Sequence, residues 1–162
     1  MSREIERKFL VKRERWRADA AGGIVLRQGY LSDDPVRVVR VRVAGDKAFL
    51  TIKGLTVGVE RAEFEYEIPV DDPNALLETM CARPLIEKTR HRVDHDGHAW
   101  YVDVFAGENA GLMIAEIELP RPDTTFSLPD WADTEVSDDP RYFNSNLARH
   151  PYCAWGGDPG RA

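Results

Sequence analysis

From residue 4 to residue 119 the chain repeats one pattern: charged and apolar residues alternate along short runs rich in β-branched side chains. A β-strand sends successive side chains to opposite faces, so a run of this kind makes a strand with one charged and one apolar face. The spacing predicts eight strands, roughly Glu4 to Val11, Gly23 to Leu31, Val36 to Val43, Ala48 to Lys53, Glu60 to Pro69, Ile86 to Asp94, His98 to Phe105 and Leu112 to Leu119. Every strand but the second is two-faced. One face carries Glu4, Glu6 and Lys8; Arg40 and Arg42; Thr51 and Lys53; Arg61, Glu63, Glu65 and Glu67; Lys88, Arg90 and Arg92; Tyr101 and Asp103; Glu116 and Glu118. The positions between them are Ile, Val, Leu, Phe or Tyr for the most part.

Gly45-Asp46-Lys47 and Asp96-Gly97 are tight-turn signals between consecutive strands. Helix signals are fewer. Asp71-Asp72-Pro73 reads as a helix start leading into Asn74 to Met80, and Asp138-Asp139-Pro140 as a start for Arg141 to Arg149. Lys12 to Ala21 is expected to be helical up to Gly22-Gly23, and Pro151 to Ala162 irregular. Residues 1–150 are expected to form a single domain, since 162 residues is the size of one domain and no linker or repeat interrupts them.

Two arrangements satisfy the strand parity. The charged face can point to water while the apolar face fills a core, as in half-exposed antiparallel sheets. Alternatively, the sheet closes with its charges inside and its apolar face covered. Eight strands enclose a lumen able to hold one small ligand. Acids fall on the first, fifth and eighth strands and bases on the third, fourth and sixth, whereas a solubilising surface intersperses the signs. Arg outnumbers Lys on these strands, and its planar fork suits bidentate phosphate contacts. Facing walls of this sort would hold a polyanion on the bases and hard divalent cations on the carboxylates.

Lys plus Arg is 22 and Asp plus Glu 28, a formal charge of −6. That balance argues against nucleic acid or an anionic membrane as partner, although a local basic site stays open. The first eight residues, with five charges, lack the apolar stretch of a signal peptide, and no run is long and apolar enough for a spanning helix. Cys81 and Cys153 form no paired motif, so a cytoplasmic location is expected.

The opening Glu4-Ile5-Glu6-Arg7-Lys8-Phe9-Leu10-Val11 resembles the ExExK signature of the CYTH, or triphosphate tunnel metalloenzyme, superfamily. Further blocks similar to that family follow in order: Gln28-Gly29-Tyr30-Leu31, Arg40-Val41-Arg42, Leu50-Thr51-Ile52-Lys53-Gly54, Arg61 to Glu67, Glu87-Lys88-Thr89-Arg90, Asp103-Val104-Phe105 and Ala115 to Leu119, with Tyr142 to Leu147 resembling the closing helix. The resemblance implies a mainly β, α+β fold: an eight-stranded antiparallel closed barrel, charged inside, with helices packed outside. It also implies divalent-metal-dependent hydrolysis of inorganic triphosphate to pyrophosphate and phosphate, and of other triphosphates besides.

By that similarity Lys8, Arg40, Arg42, Lys53, Lys88 and Arg90 bind triphosphate oxygens, and Glu4, Glu6, Glu63, Glu65, Asp103, Glu116 and Glu118 are the candidate ligands of Mg²⁺ or Mn²⁺. The attacking water is expected near Glu4, Glu6, Glu63 and Glu65, so these four and Lys8 are the catalytic candidates. Glu67 and Arg61 are weighed as ion-pair partners in the lumen wall. Tyr30 is read either as a gate at the tunnel mouth or as an aromatic packed under a helix. The four His and two Cys residues lack the further ligands or partners that zinc or nucleophile chemistry needs. Rival readings are an adenylyl cyclase of the same fold, a thiamine triphosphatase and a non-enzymatic polyphosphate-binding module, of which the last leaves the carboxylates unexplained. Exposed apolar strand faces raise the expectation of a homodimer.

Overall fold

Gly45 at φ +61, and Asp96 and Gly97 at φ +47 and +76, turn the chain back on itself where the sequence predicts hairpins, in the left-handed region that short polar residues and glycine tolerate. In a computed structural model of the chain, which describes residues 2–12 and 14–156, these turns join strands of a closed barrel. The strands are β1 (Ser2–Val11), β2 (Ile24–Ser32), β3 (Val38–Ala44), β4 (Lys47–Lys53), β5 (Glu60–Ile68), β6 (Ile86–His95), β7 (His98–Phe105) and β8 (Met113–Glu118). Their order is β5-β4-β3-β2-β6-β7-β8-β1, and a β1–β5 pairing closes the ring, with every neighbour antiparallel.

A ninth strand, β9 (Ala132–Glu135), was not expected. β1 is longer than closure requires: residues 2–5 pair with β5, and Phe9 and Val11 pair with β9 on the same edge. The gap between is filled by Glu6 N–H to the Val59 carbonyl (3.1 Å), Lys8 N–H to Ser137 Oγ (2.9 Å) and Val136 N–H to the Lys8 carbonyl (2.9 Å). Four residues with one apolar inward position carry too short a period to be seen in sequence.

Helices depart further from expectation. α1 (Asp72–Thr79) begins at its Asp-Pro signal and lies outside, burying Leu77 against Val41 and Cys81; full burial of that leucine contributes roughly 2 kcal/mol. The predicted helix over Lys12 to Ala21 is only a 3-10 turn at Arg15–Ala18. Trp16 is fully buried there and Ala20 bridges to Val93, so the segment is drawn along the barrel wall instead of coiling. Arg13 and residues 157–162, assigned above to that helix and to the tail, lie outside the described residues. The predicted helix at Arg141 to Arg149 is a 3-10 turn at Pro140–Tyr142 followed by α2 (Asn144–Arg149), because Phe143 adopts extended backbone (φ −71, ψ 134).

α1 packs outside the barrel as expected, and α2 lies across one end of it. Its Leu147 and Ala148 cluster with Tyr30, Val38, Ile86, Phe105 and Ile114. Those five lie on the same strand faces as Gln28, Arg40, Lys88, Asp103 and Glu116, which is the inner face of the barrel. One end of the lumen is therefore filled with apolar side chains and covered by α2. The outer face is covered on one side by Trp16, Phe126, Trp131 and β9, packed on Phe9, Trp100 and Ile117, and on another by α1. Ile52, Phe64 and Tyr66 on the outside of β4 and β5 remain exposed.

Candidate active site

Ring closure converts sequence blocks into walls. β5, β1 and β8, which carry the acids, stand side by side although the paired residues of the first two lie 55 to 61 positions apart in the chain. β4, β3 and β6 carry the bases, with β2, whose inner face is uncharged, set between the last two. The lumen is a cavity of about 380 Å³ lined by Lys8, Arg40, Arg42, Lys53, Arg61, Lys88 and Arg90 and by Glu4, Glu6, Glu63, Glu65, Glu116 and Glu118. That volume is at the lower end of the range for small-molecule sites. The structure thus brings together every candidate at the cavity lining except Asp103, which is on the inner face but fully buried under Lys88 and Arg90. Arg92 and Glu67, on the same faces, have turned to solvent at the rim and pair with Asp94 and Lys47.

The charges form interlocked pairs. Lys53 Nζ donates to Glu4 Oε1 at 2.8 Å and lies 2.7 Å from Glu63 Oε2, and Arg61 Nε donates to Glu4 Oε2 at 2.7 Å. Burial alone would raise the Glu4 carboxyl, but Lys53 and Arg61 outweigh it and hold the pKa at about 2. Lys8 Nζ sits 2.6 Å from both Glu6 Oε1 and Glu116 Oε1, which keeps it charged against its burial. Arg42 donates to both oxygens of Glu65 at 3.1 and 3.2 Å, and Arg40 to Thr51 Oγ1 at 3.3 Å. Burial and the neighbouring Arg40 bring the Arg42 pKa down to about 10, so it stays cationic.

Asp103 receives Lys88 Nζ at 2.6 Å and Arg90 Nε and Nη2 at 2.7 and 2.8 Å, so both its oxygens are engaged. Arg90 also reaches Glu116. Burial, aided by Arg90, lowers the Lys88 pKa to about 8 in spite of Asp103. Asn144 at the start of α2 accepts a further bond from Lys88 at 3.2 Å, so the covering helix touches the basic wall. Arg61, weighed from the sequence as an ion-pair partner in the lumen wall, pairs with Glu4, whereas Asn144 and Gln28 had no role assigned to them. Parity places Arg61 on the inner face, whereas Asn144 reaches the lumen only through the tertiary position of α2.

Tyr30 is not at the mouth. It is 6% exposed, and its ring belongs to the apolar cluster at the covered end, which matches the alternative reading of an aromatic packed under a helix. Tyr30 is still among the residues that line the cavity.

Glu6 and Glu118 are register partners on β1 and β8. Side chains so placed are about 5 Å apart at Cβ, and like charges there oppose folding. Burial and Glu116 raise the Glu6 pKa; partial burial, with Glu4, Glu6 and Glu63, raises that of Glu118. Among the described residues no three carboxylate, imidazole or thiol groups already converge on one point, because Lys8, Lys53 and Arg61 hold Glu6, Glu4 and Glu63. The acid wall is nevertheless an all-oxygen donor set in which burial and neighbouring acids disfavour the charged forms of Glu6 and Glu118, which fits a hard divalent cation.

A closed antiparallel barrel that presents opposed walls of bases and acids to a small one-ended cavity defines a class of proteins that bind small polyanions inside a β-tunnel. The model of the CYTH domain matches residues 2–152, and the chain belongs to that family. Over 152 residues, 94% of this chain and 97% of the other, it is 50% identical to a protein of Acetivibrio thermocellus named inorganic triphosphatase. A Nitrosomonas europaea protein of the same name is 37% identical over 149 residues, 90% of this chain and 96% of its own. Among solved structures, the crystal structure of an inorganic triphosphatase superposes with a TM-score of 0.64 at 36% identity, covering 91% of this chain and 95% of that one.

Proposed function

We propose that the tunnel binds inorganic triphosphate and hydrolyses it to pyrophosphate and phosphate with a divalent cation, Mg²⁺ or Mn²⁺, bound on the acid wall. The observation that carries this reading is the seven-cation lining of a small cavity closed at one end. A triphosphate has about four charges near neutral pH and needs several charge-assisted hydrogen bonds in a water-poor site, where each is stronger than in bulk water. The name shared by the two relatives supports the same substrate.

Lys8, Arg40, Arg42, Lys53, Lys88 and Arg90 would hold the phosphate oxygens, each turning from its present carboxylate toward the substrate. Glu4, Glu6, Glu63, Glu116 and Glu118 are the residues that would hold the cation. When bound, the cation supplies charge neutralisation on the phosphoryl oxygens and lowers the pKa of a coordinated water. Glu65, hydrogen bonded to Thr51 at 2.9 Å, stands beside Arg40 and Arg42 and would orient water toward the phosphorus they hold. Asp103, with both oxygens bonded, would fix Lys88 and Arg90 instead of binding metal.

Phosphate release from tripolyphosphate, ATP and thiamine triphosphate, with Mg²⁺ or Mn²⁺ and with chelator, tests the reading. Tripolyphosphate should be the best substrate, and chelator should abolish turnover. Preference for ATP with cyclic AMP as product would establish the cyclase instead, preference for thiamine triphosphate would change the substrate, and binding without turnover would leave a polyphosphate-binding module.

A further inference from the structure

Lys88 is held differently from the other two lysines of the lumen. Lys8 Nζ lies between the carboxylates of Glu6 and Glu116, and Lys53 Nζ between those of Glu4 and Glu63. Lys88 Nζ has one carboxylate, Asp103 Oδ2 at 2.6 Å, and shares that oxygen with Arg90 Nη2 at 2.8 Å. Its second acceptor is neutral: Oδ1 of Asn144, at 3.2 Å, brought across the covered end by α2. The Phe105 ring centre lies 5.2 Å from the same nitrogen.

An ammonium has three N–H donors and no acceptor. Among the described residues Asp103 and Asn144 take two of them, and one stays free for a ligand. A lysine stem carries about 2 kcal/mol of rotamer entropy, so a head tied to a single shared oxygen can swing about it. A second acceptor on a different element stops the swing, and with two donors fixed the direction of the third follows from tetrahedral geometry. A neutral amide does this without cancelling the charge, whereas a second carboxylate would compete with a phosphate oxygen for it. Asn144 is half-buried, lines the lumen, and is placed there by Leu147 and Ala148, which α2 sinks into the apolar cluster at that end.

We propose that Asn144 is a positioning residue: its side-chain carbonyl, together with Asp103, aims the free N–H of Lys88 at a phosphoryl oxygen of the substrate. The proposal rests on the triphosphate reading above and deepens it, because it makes the covering helix part of the binding machinery as well as a stopper.

Asn144→Leu removes the acceptor at nearly the same side-chain size. Titration calorimetry of the full chain with sodium tripolyphosphate in EDTA should show affinity falling about five-fold, the scale of one hydrogen bond to a charged group. KM for tripolyphosphate with Mn²⁺ should rise by a similar factor. Because Asn144 acts through Lys88, the same substitution made in Lys88→Met should change affinity by less than about two-fold, although Lys88→Met itself weakens binding; a purely structural role gives no such coupling. Affinity of Asn144→Leu within about two-fold of the parent would overturn the proposal. So would an undiminished loss in the Lys88→Met background, which marks a direct contact or a displaced α2. If the parent itself fails to bind tripolyphosphate, the triphosphate reading falls first and this one with it.

Discussion

Glu118→Gln tests the reading of the acid wall. Glu118 stands opposite Glu6 on neighbouring strands, and both carboxyls are held above their ordinary range by burial and by neighbouring acids. A raised carboxyl pKa means the fold is favoured by the protonated form. That contribution is present at low pH and lost as pH rises through the raised values, so at pH 7 the pair opposes folding. Removing one charge should stabilise the metal-free protein by about 0.5 kcal/mol, the scale of a cross-strand pair, discounted because Glu118 is itself exposed. For a chain of this length that raises Tm by roughly 1–2 °C in EDTA at pH 7. A bound divalent cation relieves the same repulsion in the parent, so millimolar MnCl₂ should raise the parent Tm and raise that of Glu118→Gln much less. The assay is a thermal melt of both proteins in EDTA and in MnCl₂. A variant less stable in EDTA, with an undiminished metal response, would refute the argument.

Asp103→Asn separates positioning from metal binding: losing a fully buried partner of two cations should cost about 3 kcal/mol in urea denaturation and raise KM for tripolyphosphate, while the Mn²⁺ concentration giving half-maximal activity stays unchanged. A weakened Mn²⁺ response with unchanged KM would make Asp103 a ligand. Glu4, with its pKa lowered from 4.5 to about 2, contributes ~3 kcal/mol at neutral pH that is lost as pH falls from about 4.5 toward 2; Glu4→Gln should flatten the acid limb of a stability-versus-pH curve. Lys88, lowered to about 8, loses its charge as pH rises through that value. Metal-free affinity for tripolyphosphate should therefore weaken above pH 8, and Lys88→Arg, which cannot deprotonate there, should remove the dependence.

Strand identity was legible because a two-residue period survives any environment: Glu4, Glu6 and Lys8 share a face whether the sheet is open or closed. Hence the eight barrel strands, and the membership of Arg61 in the inner face, follow from residue order. Whether that face is inside does not, since Arg40-Val41-Arg42 suits a solvated sheet equally. The decision lies in contacts remote in sequence, β1 against β5 and Trp16, Trp100 and Trp131 sealing the outer face. β9 was missed because its pairing with Phe9 and Val11 serves an edge that exists only after β5 has ended. The two readings of Tyr30 stayed open in the sequence because parity tells which face a side chain takes and not how far along the barrel it sits.

By itself the sequence determined the chemistry available to the lumen: oxygen ligands and fixed cations, no thiol or imidazole cluster, and a strand period that keeps them on one surface. Only the tertiary structure decided how those charges are shared. Closure set Lys8 between Glu6 and Glu116, put both oxygens of Asp103 on Lys88 and Arg90, left Glu6 facing Glu118, and brought α2 across one end. Periodicity is a local property of the chain, whereas a pKa, a vacant donor or a closed end depends on what the far side of the barrel places within a few ångströms.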